Sequence, residues 1–268
     1  MCGPKMQPPK RALGWPVLVA SVILLSGCSD KSASIPTSAS DNRAALSTGD
    51  SGAALRMART TRSAGDLNTA VLIYRNIVAT GVATDGIKIE LGDTLVEAGS
   101  PDDAIDIYSQ VGAKSSARLN SLLGLTRAYV DLGDPTKALE YADEAKLAAP
   151  QDPRVLVDRG VALDSLKRHG EAQECYRSVL SIAPRHVSAR NNLALSLALT
   201  GQFDEAVAMI TPLVRSSSAT PQVRENMAVI YGLMGDADHA AAVSRMDLDD
   251  GTTKKNLAFL AAVRETKP

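Results

Sequence analysis

The side chains best suited to chemistry are three histidines, an interior cysteine and a pair of adjacent carboxylates. His169, His186 and His239 lie in different stretches of the chain, without the short helical or loop spacings that bring ligands together on a metal. Asp102 and Asp103 could serve as an acid/base pair. They follow Ser100-Pro101, however, and acids just after a cap and an N1 proline are what a helix N-terminus favours. Cys175 precedes Tyr176; placed on an inner helix of its repeat, it reads as a small buried hydrophobe. There is no glycine-rich phosphate loop, nucleophile elbow or paired metal motif. The chain reads as a non-enzyme, with no catalytic residue, no metal site and no cofactor.

Cys28 offers a different chemistry. Lys5, Lys10 and Arg11 precede a mostly apolar run from Ala12 to Leu25, which ends in Leu25-Ser26-Gly27-Cys28. A charged start, a short apolar run and small residues before a cysteine resemble the bacterial lipobox. That resemblance implies a lipoprotein signal peptide over 1–27 and acylation of the Cys28 sulfur. Several acyl chains give firm membrane anchoring where one gives only marginal binding. Ser29 follows the cysteine, and the sorting rule for such lipoproteins then implies the periplasmic face of the outer membrane. Residues 28–50, rich in Ser, Ala and Thr, read as a flexible tether. With Cys2 in the signal and Cys28 acylated, Cys175 has no partner for an intramolecular disulfide.

The elements that position everything else are set by a repeat. Ala70, Ala104, Ala138, Ala172, Ala206 and Ala240 stand 34 residues apart, and Gly65, Gly99, Gly133, Gly201 and Gly235 each precede their alanine by five. This is the period of the tetratricopeptide repeat (TPR), a helix–turn–helix unit that stacks into a solenoid. The register predicts an all-α, right-handed superhelical solenoid of six repeats over 51–252. The repeats start near Ser51, Asp85, Leu119, Pro153, Val187 and Pro221, and a capping helix and tail occupy 253–268. The small residues Ala58, Gly92, Thr126, Gly160, Ala194 and Ala228 mark where helices cross closely. Tyr74, Tyr108 and Tyr176 recur as core. Asp66, Ser100, Asp134 and Asp236 are expected N-caps.

Departures from the pattern carry expectations of their own. Lys167 stands where the fourth turn glycine belongs, with Gly170 three residues later, predicting a longer turn. Pro212 should kink or shorten its helix. Lys254 to Val263 should cap the array through Leu257, Leu260, Ala261 and Phe259.

Net charge is −1 and aromatic content is 3%, which argues against nucleic acid as a partner. Solenoids of this type bind protein segments on a concave face formed by first-helix positions two, five, nine, twelve and thirteen. Transferring those positions gives a candidate groove. Its N-terminal half, of mixed charge, includes Arg59, Arg62, Asp93, Glu97, Arg127 and Asp131. Its C-terminal half includes Asn191, Leu195, Leu199, Val229 and Leu233, an apolar floor that either receives a partner or is covered by the last helix.

The lipobox and the six-repeat array occur with a closing stretch from Asn226-Met227-Ala228-Val229 through Gly235-Asp236-Ala237 to Asn256-Leu257-Ala258-Phe259-Leu260. Together they resemble the TadD-like lipoproteins of the tight-adherence (Tad/Flp) pilus machinery. The resemblance implies a non-catalytic scaffold that supports assembly of the Flp pilus or its outer-membrane secretin, with secretin or pilus-assembly components as partners. The alternative is a general envelope TPR adaptor, serving another secretin as pilotin or scaffolding peptidoglycan enzymes.

Overall fold

The computed structural model describes residues 51–81 and 83–265. Cys28 and the stretches expected to be signal peptide and tether, residues 1–50, lie outside the described residues. Among the described residues there are thirteen helices and no strand. They are α1 (Ser51–Ser63), α2 (Leu67–Ala79), α3 (Asp85–Glu97), α4 (Pro101–Ser109), α5 (Arg118–Asp131), α6 (Pro135–Ala148) and α7 (Pro153–Ser165). Next come α8 (His169–Ile182), α9 (Val187–Leu199), α10 (Phe203–Val214), α11 (Pro221–Met234), α12 (Ala237–Ser244) and α13 (Asp250–Glu265). The odd helices from α1 to α11 start within one residue of the predicted repeat boundaries. Each helix packs on its sequence neighbour, and from α3 to α11 each odd helix also packs on the next odd one. The result is two layers, with the odd helices forming one continuous face.

The periodic alanines are the reason the layers approach. All six are fully buried. The second small position is tighter still. A Cβ added to Gly92 would stand 2.4 Å from the Tyr108 ring, and one on Gly124 would meet the same ring at 2.4 Å. Tyr108 is therefore held between α3 and α5 by two glycines. Gly160 faces Tyr176 in the same way, at 2.4 Å. Glycine is used here for absent volume.

The intra-repeat turns share one hydrogen-bond pattern. Asp66, Ser100, Asp134, Arg168, Gln202 and Asp236 each donate their N–H to the carbonyl five residues back, at 2.8 to 3.1 Å. This closes a helix through a left-handed residue. The turn glycines have φ between 74° and 93°. The longer turn expected at Lys167 is not formed. Lys167 itself takes φ 61°, and the link from Ser165 to His169 is as long as that from Ser63 to Leu67. The turn keeps its hydrogen bonds and places an exposed lysine in a conformation costly for side chains with a Cβ.

Asp66, Asp134 and Asp236 cap their helices by accepting from the N–H of Thr69, Lys137 and His239. Ser100 occupies the cap position before Pro101 but makes no side-chain cap bond; the hydroxyls that do cap, those of Thr84 and Thr220, act from extended backbone at ψ 161° and 157°, whereas Ser100 stands at ψ 62°. Pro212 is accommodated inside α10, which ends two residues later. Cys175 is buried, as expected, but on α8 in the outer layer, where its sulfur accepts from Arg159 Nη1 at 3.2 Å.

At the C-terminal end α13 packs on α11 and α12, as the first helix of another repeat would. Leu260 is buried against Gly232 and Leu257 is half-buried. Phe259 is 53% exposed and Ala261 is exposed, so neither covers the end as expected. With 3.6 residues per turn, Thr253, Leu257 and Leu260 share the packed stripe, and 259 and 261 fall outside it.

Candidate protein-binding groove

The odd helices line an open groove. One cavity of about 390 Å³ is walled by Ile89, Asp93, Asn120, Leu123, Arg127, Arg154, Val157, Asp158, His186 and Ser188. A second, of about 510 Å³, continues through Val96, Val130, Asp131, Val161, Asn191, Asn192, Gln222 and Val223. Arg127, Val157, Asp158 and Ser188 belong to both. Every wall residue lies on α3, α5, α7, α9 or α11, or caps one of them.

Asp93, Arg127, Asp131 and Asn191 of the sequence-derived map line these cavities. Arg59, Arg62 and Glu97 lie at the N-terminal end of the same helix layer and are occupied. Arg59 grips Glu90 through Nε at 2.8 Å and Nη2 at 2.5 Å. Arg62 grips Glu97 at 2.9 and 2.6 Å. These forked bonds hold both glutamates below their ordinary carboxylate pKa and tie α1 to α3. Tyr74 adds its hydroxyl to Glu90 at 2.9 Å, and burial followed by that bond pushes its pKa up to about 12. At the C-terminal end Val229 is buried, while Leu195, Leu199 and Leu233 are half-buried.

Asn191 is bonded on both sides. Asn226 donates to it at 3.0 Å, and it donates to Asn192 at 3.2 Å. The chain of amides leaves Asn192 on the wall of the second cavity with its NH₂ group unbonded among the described residues.

Asp158, Asn192 and Glu90 are absent from the sequence map. They occupy the sixth position of the first helix, four residues after the second and three before the ninth, and so lie on the same stripe. Helical spacing alone could have found them. Asp158 is distinctive. It is half-buried and, among the described residues, makes no hydrogen bond or salt bridge. Desolvation pushes its pKa up to about 6, against smaller opposing effects of Arg127 and Arg154. Arg154 is engaged elsewhere, with Asp152 at 2.7 Å and Asn120 at 3.2 Å. Arg127 reaches Asp93 at 3.5 Å, and Asp93 also accepts from the Tyr108 hydroxyl at 2.6 Å.

Beside the groove, Asp164 ties three helices together. It accepts from Ser196 Oγ at 2.7 Å and Tyr176 OH at 3.0 Å, and pairs with His169 Nδ1 at 2.7 Å. One of the three histidines is thus committed to packing. His186 Nδ1 accepts the Ala189 N–H and caps α9. His239 pairs with Asp236 at 2.7 Å. Among the described residues no group of His, Cys, Asp or Glu is arranged to hold a metal, and no helix is long and apolar enough to cross a membrane.

A family model described as tetratricopeptide repeat matches residues 95–156, and a second of the same description matches 157–211. Residues 95–211 of this chain are built of tetratricopeptide repeats. Its fold is similar to that of a TPR protein from Parabacteroides merdae, with 15% identity and a TM-score of 0.69 over 83% of this chain and 90% of that one. A thermophilic TPR protein from Thermus thermophilus is similar at 21% identity and TM-score 0.59, over 67% of this chain and all of that one. In sequence, the chain is 36% identical over 69 residues to the uncharacterized protein y4yS of Sinorhizobium fredii. That match spans 26% of this chain and 38% of the relative. Repeat solenoids of this kind present extended concave surfaces to protein partners.

Proposed function

We propose that this protein is a lipid-anchored TPR scaffold of the cell envelope that grips a segment of a pilus-assembly or secretin component in its groove. The observation that carries the gripping role is the continuous wall of odd-helix residues around two adjoining cavities. The lipobox at Cys28 supports the anchor, and the resemblance of the closing stretch to TadD-like lipoproteins supports the Tad/Flp role. Anchoring confines the solenoid to the membrane surface, which raises the effective concentration of a weak contact.

The test is a crosslinked pull-down from membranes of the native cell, comparing wild type with a Leu195→Asp, Leu233→Asp variant. Recovery of a secretin or pilus-assembly protein that is lost in the variant is the expected result. Recovery of cell-wall enzymes instead, or of partners indifferent to the variant, would refute it. Labelled palmitate should enter the wild type and not Cys28→Ala; equal labelling would remove the anchor.

A further inference from the structure

We infer that the middle of the groove receives an extended basic segment of the protein partner, a lysine or arginine of which pairs with Asp158. This rests on the groove reading above and names the chemistry of its occupant.

The argument is one of charge left over after internal pairing. Four ionised side chains line the centre besides Arg154, which Asp152 and Asn120 occupy. Arg127 answers Asp93. Asp131 and Asp158 have no hydrogen-bond or salt-bridge partner among the described residues, although both line the larger cavity. The N-terminal end shows the contrast, since there each glutamate meets a forked arginine. Asp158, half-buried and unanswered, with exposed Asp131 lining the same cavity, makes a poor seat for an acidic segment and a good one for a basic segment.

The surroundings suit an extended chain. Val96, Val130, Val157 and Val161 supply apolar wall beside the carboxylates, on which the stem of a lysine or its apolar neighbours can rest. Asn192 and Gln222 stand further along the same cavity, and amide side chains offer both a donor and an acceptor to a peptide backbone. The upward pKa of Asp158 agrees with a carboxylate that has lost water and gained no partner.

The experiment uses the full chain and two labelled dodecapeptides, capped at both ends, one of Lys-Ala-Val repeats and one of Glu-Ala-Val repeats. Fluorescence anisotropy should show the lysine peptide binding roughly tenfold or more tighter than the glutamate one. Asp158→Asn should weaken the lysine peptide about tenfold, and adding Asp131→Asn should weaken it further. Asp238→Asn, at an exposed position of α12 away from the groove, should change nothing. Thermal unfolding confirms that each variant is folded. Equal affinity for the two peptides, or lysine-peptide binding indifferent to Asp158→Asn, overturns the inference. Tighter binding of the glutamate peptide, lost with Asn192→Asp, would also overturn it while leaving the groove as the binding site. Binding of neither peptide overturns the basic segment alone, because the pull-down judges the groove independently.

Discussion

Asp158→Asn should make this protein more stable at neutral pH, and the gain should disappear in acid. The carboxyl is moved from its ordinary 3.8 to about 6, so the folded state holds the proton more tightly than the unfolded chain does. Ionising the group therefore costs folding free energy. The cost is absent below about pH 4, grows as pH rises towards 6 and is constant above it. At 1.36 kcal/mol per pKa unit the ceiling is about 3 kcal/mol. Water at the open side of the groove screens part of this, which leaves about 1–2 kcal/mol. Asparagine keeps the shape and cannot ionise. For an array of this size each kcal/mol moves the melting temperature by about 2–4 °C, so the variant should melt roughly 3–6 °C higher at pH 7.5. Thermal unfolding by circular dichroism from pH 4 to 8 measures this. The reasoning is refuted if the variant is no more stable at pH 7.5, or if its advantage is as large at pH 4. A stability gain with a binding loss would mark Asp158 as a group kept for function.

Three further substitutions test the packing. Gly92→Ala should destabilise by about 1–3 kcal/mol in urea unfolding, because its Cβ meets a Tyr108 ring that Gly124 blocks from behind; Gly170→Ala, with open space around its Cβ, should be neutral or slightly stabilising, and equal effects would contradict this account. Lys167→Gly should stabilise by about 0.5–1 kcal/mol in the same assay by relieving the left-handed residue at φ 61°; a loss would show that the lysine side chain matters more than its backbone. Asp164→Ala should cost about 2–4 kcal/mol, since the buried Ser196 and Tyr176 hydroxyls lose their acceptor; a change under about 0.5 kcal/mol would show that those hydroxyls find other partners.

The fold was legible because its determinants are local and periodic. Volume at Ala70 or Gly92 and a left-handed turn at Gly65 depend on neighbours within one repeat, and the period repeats the signal. Lys167 misled because a glycine preference is energetic, about one kcal/mol, while the hydrogen bonds of the turn and the Asp164 cluster beside it fix the backbone. The groove was legible in outline. Asp93, Arg127, Asp131 and Asn191 followed from helix position alone. The pairings did not, because Arg59 with Glu90 joins residues 31 apart and depends on side-chain reach across two helices. For the same reason the sequence map held both Arg127 and Asp131 without showing which charges are answered. Asp158 fell between the transferred positions, although its spacing from Arg154 and Val161 places it on their stripe.

The central claim is that the odd-helix groove is where this protein holds its partner. A photoreactive amino acid at Asn192, on the groove wall, can be compared in the native cell with one at Glu174, exposed on the outer layer. The account predicts a discrete protein crosslink from position 192 that is absent from position 174 and is lost with Asp158→Asn. The same crosslinks from both positions, or a crosslink from position 174 alone, would contradict it.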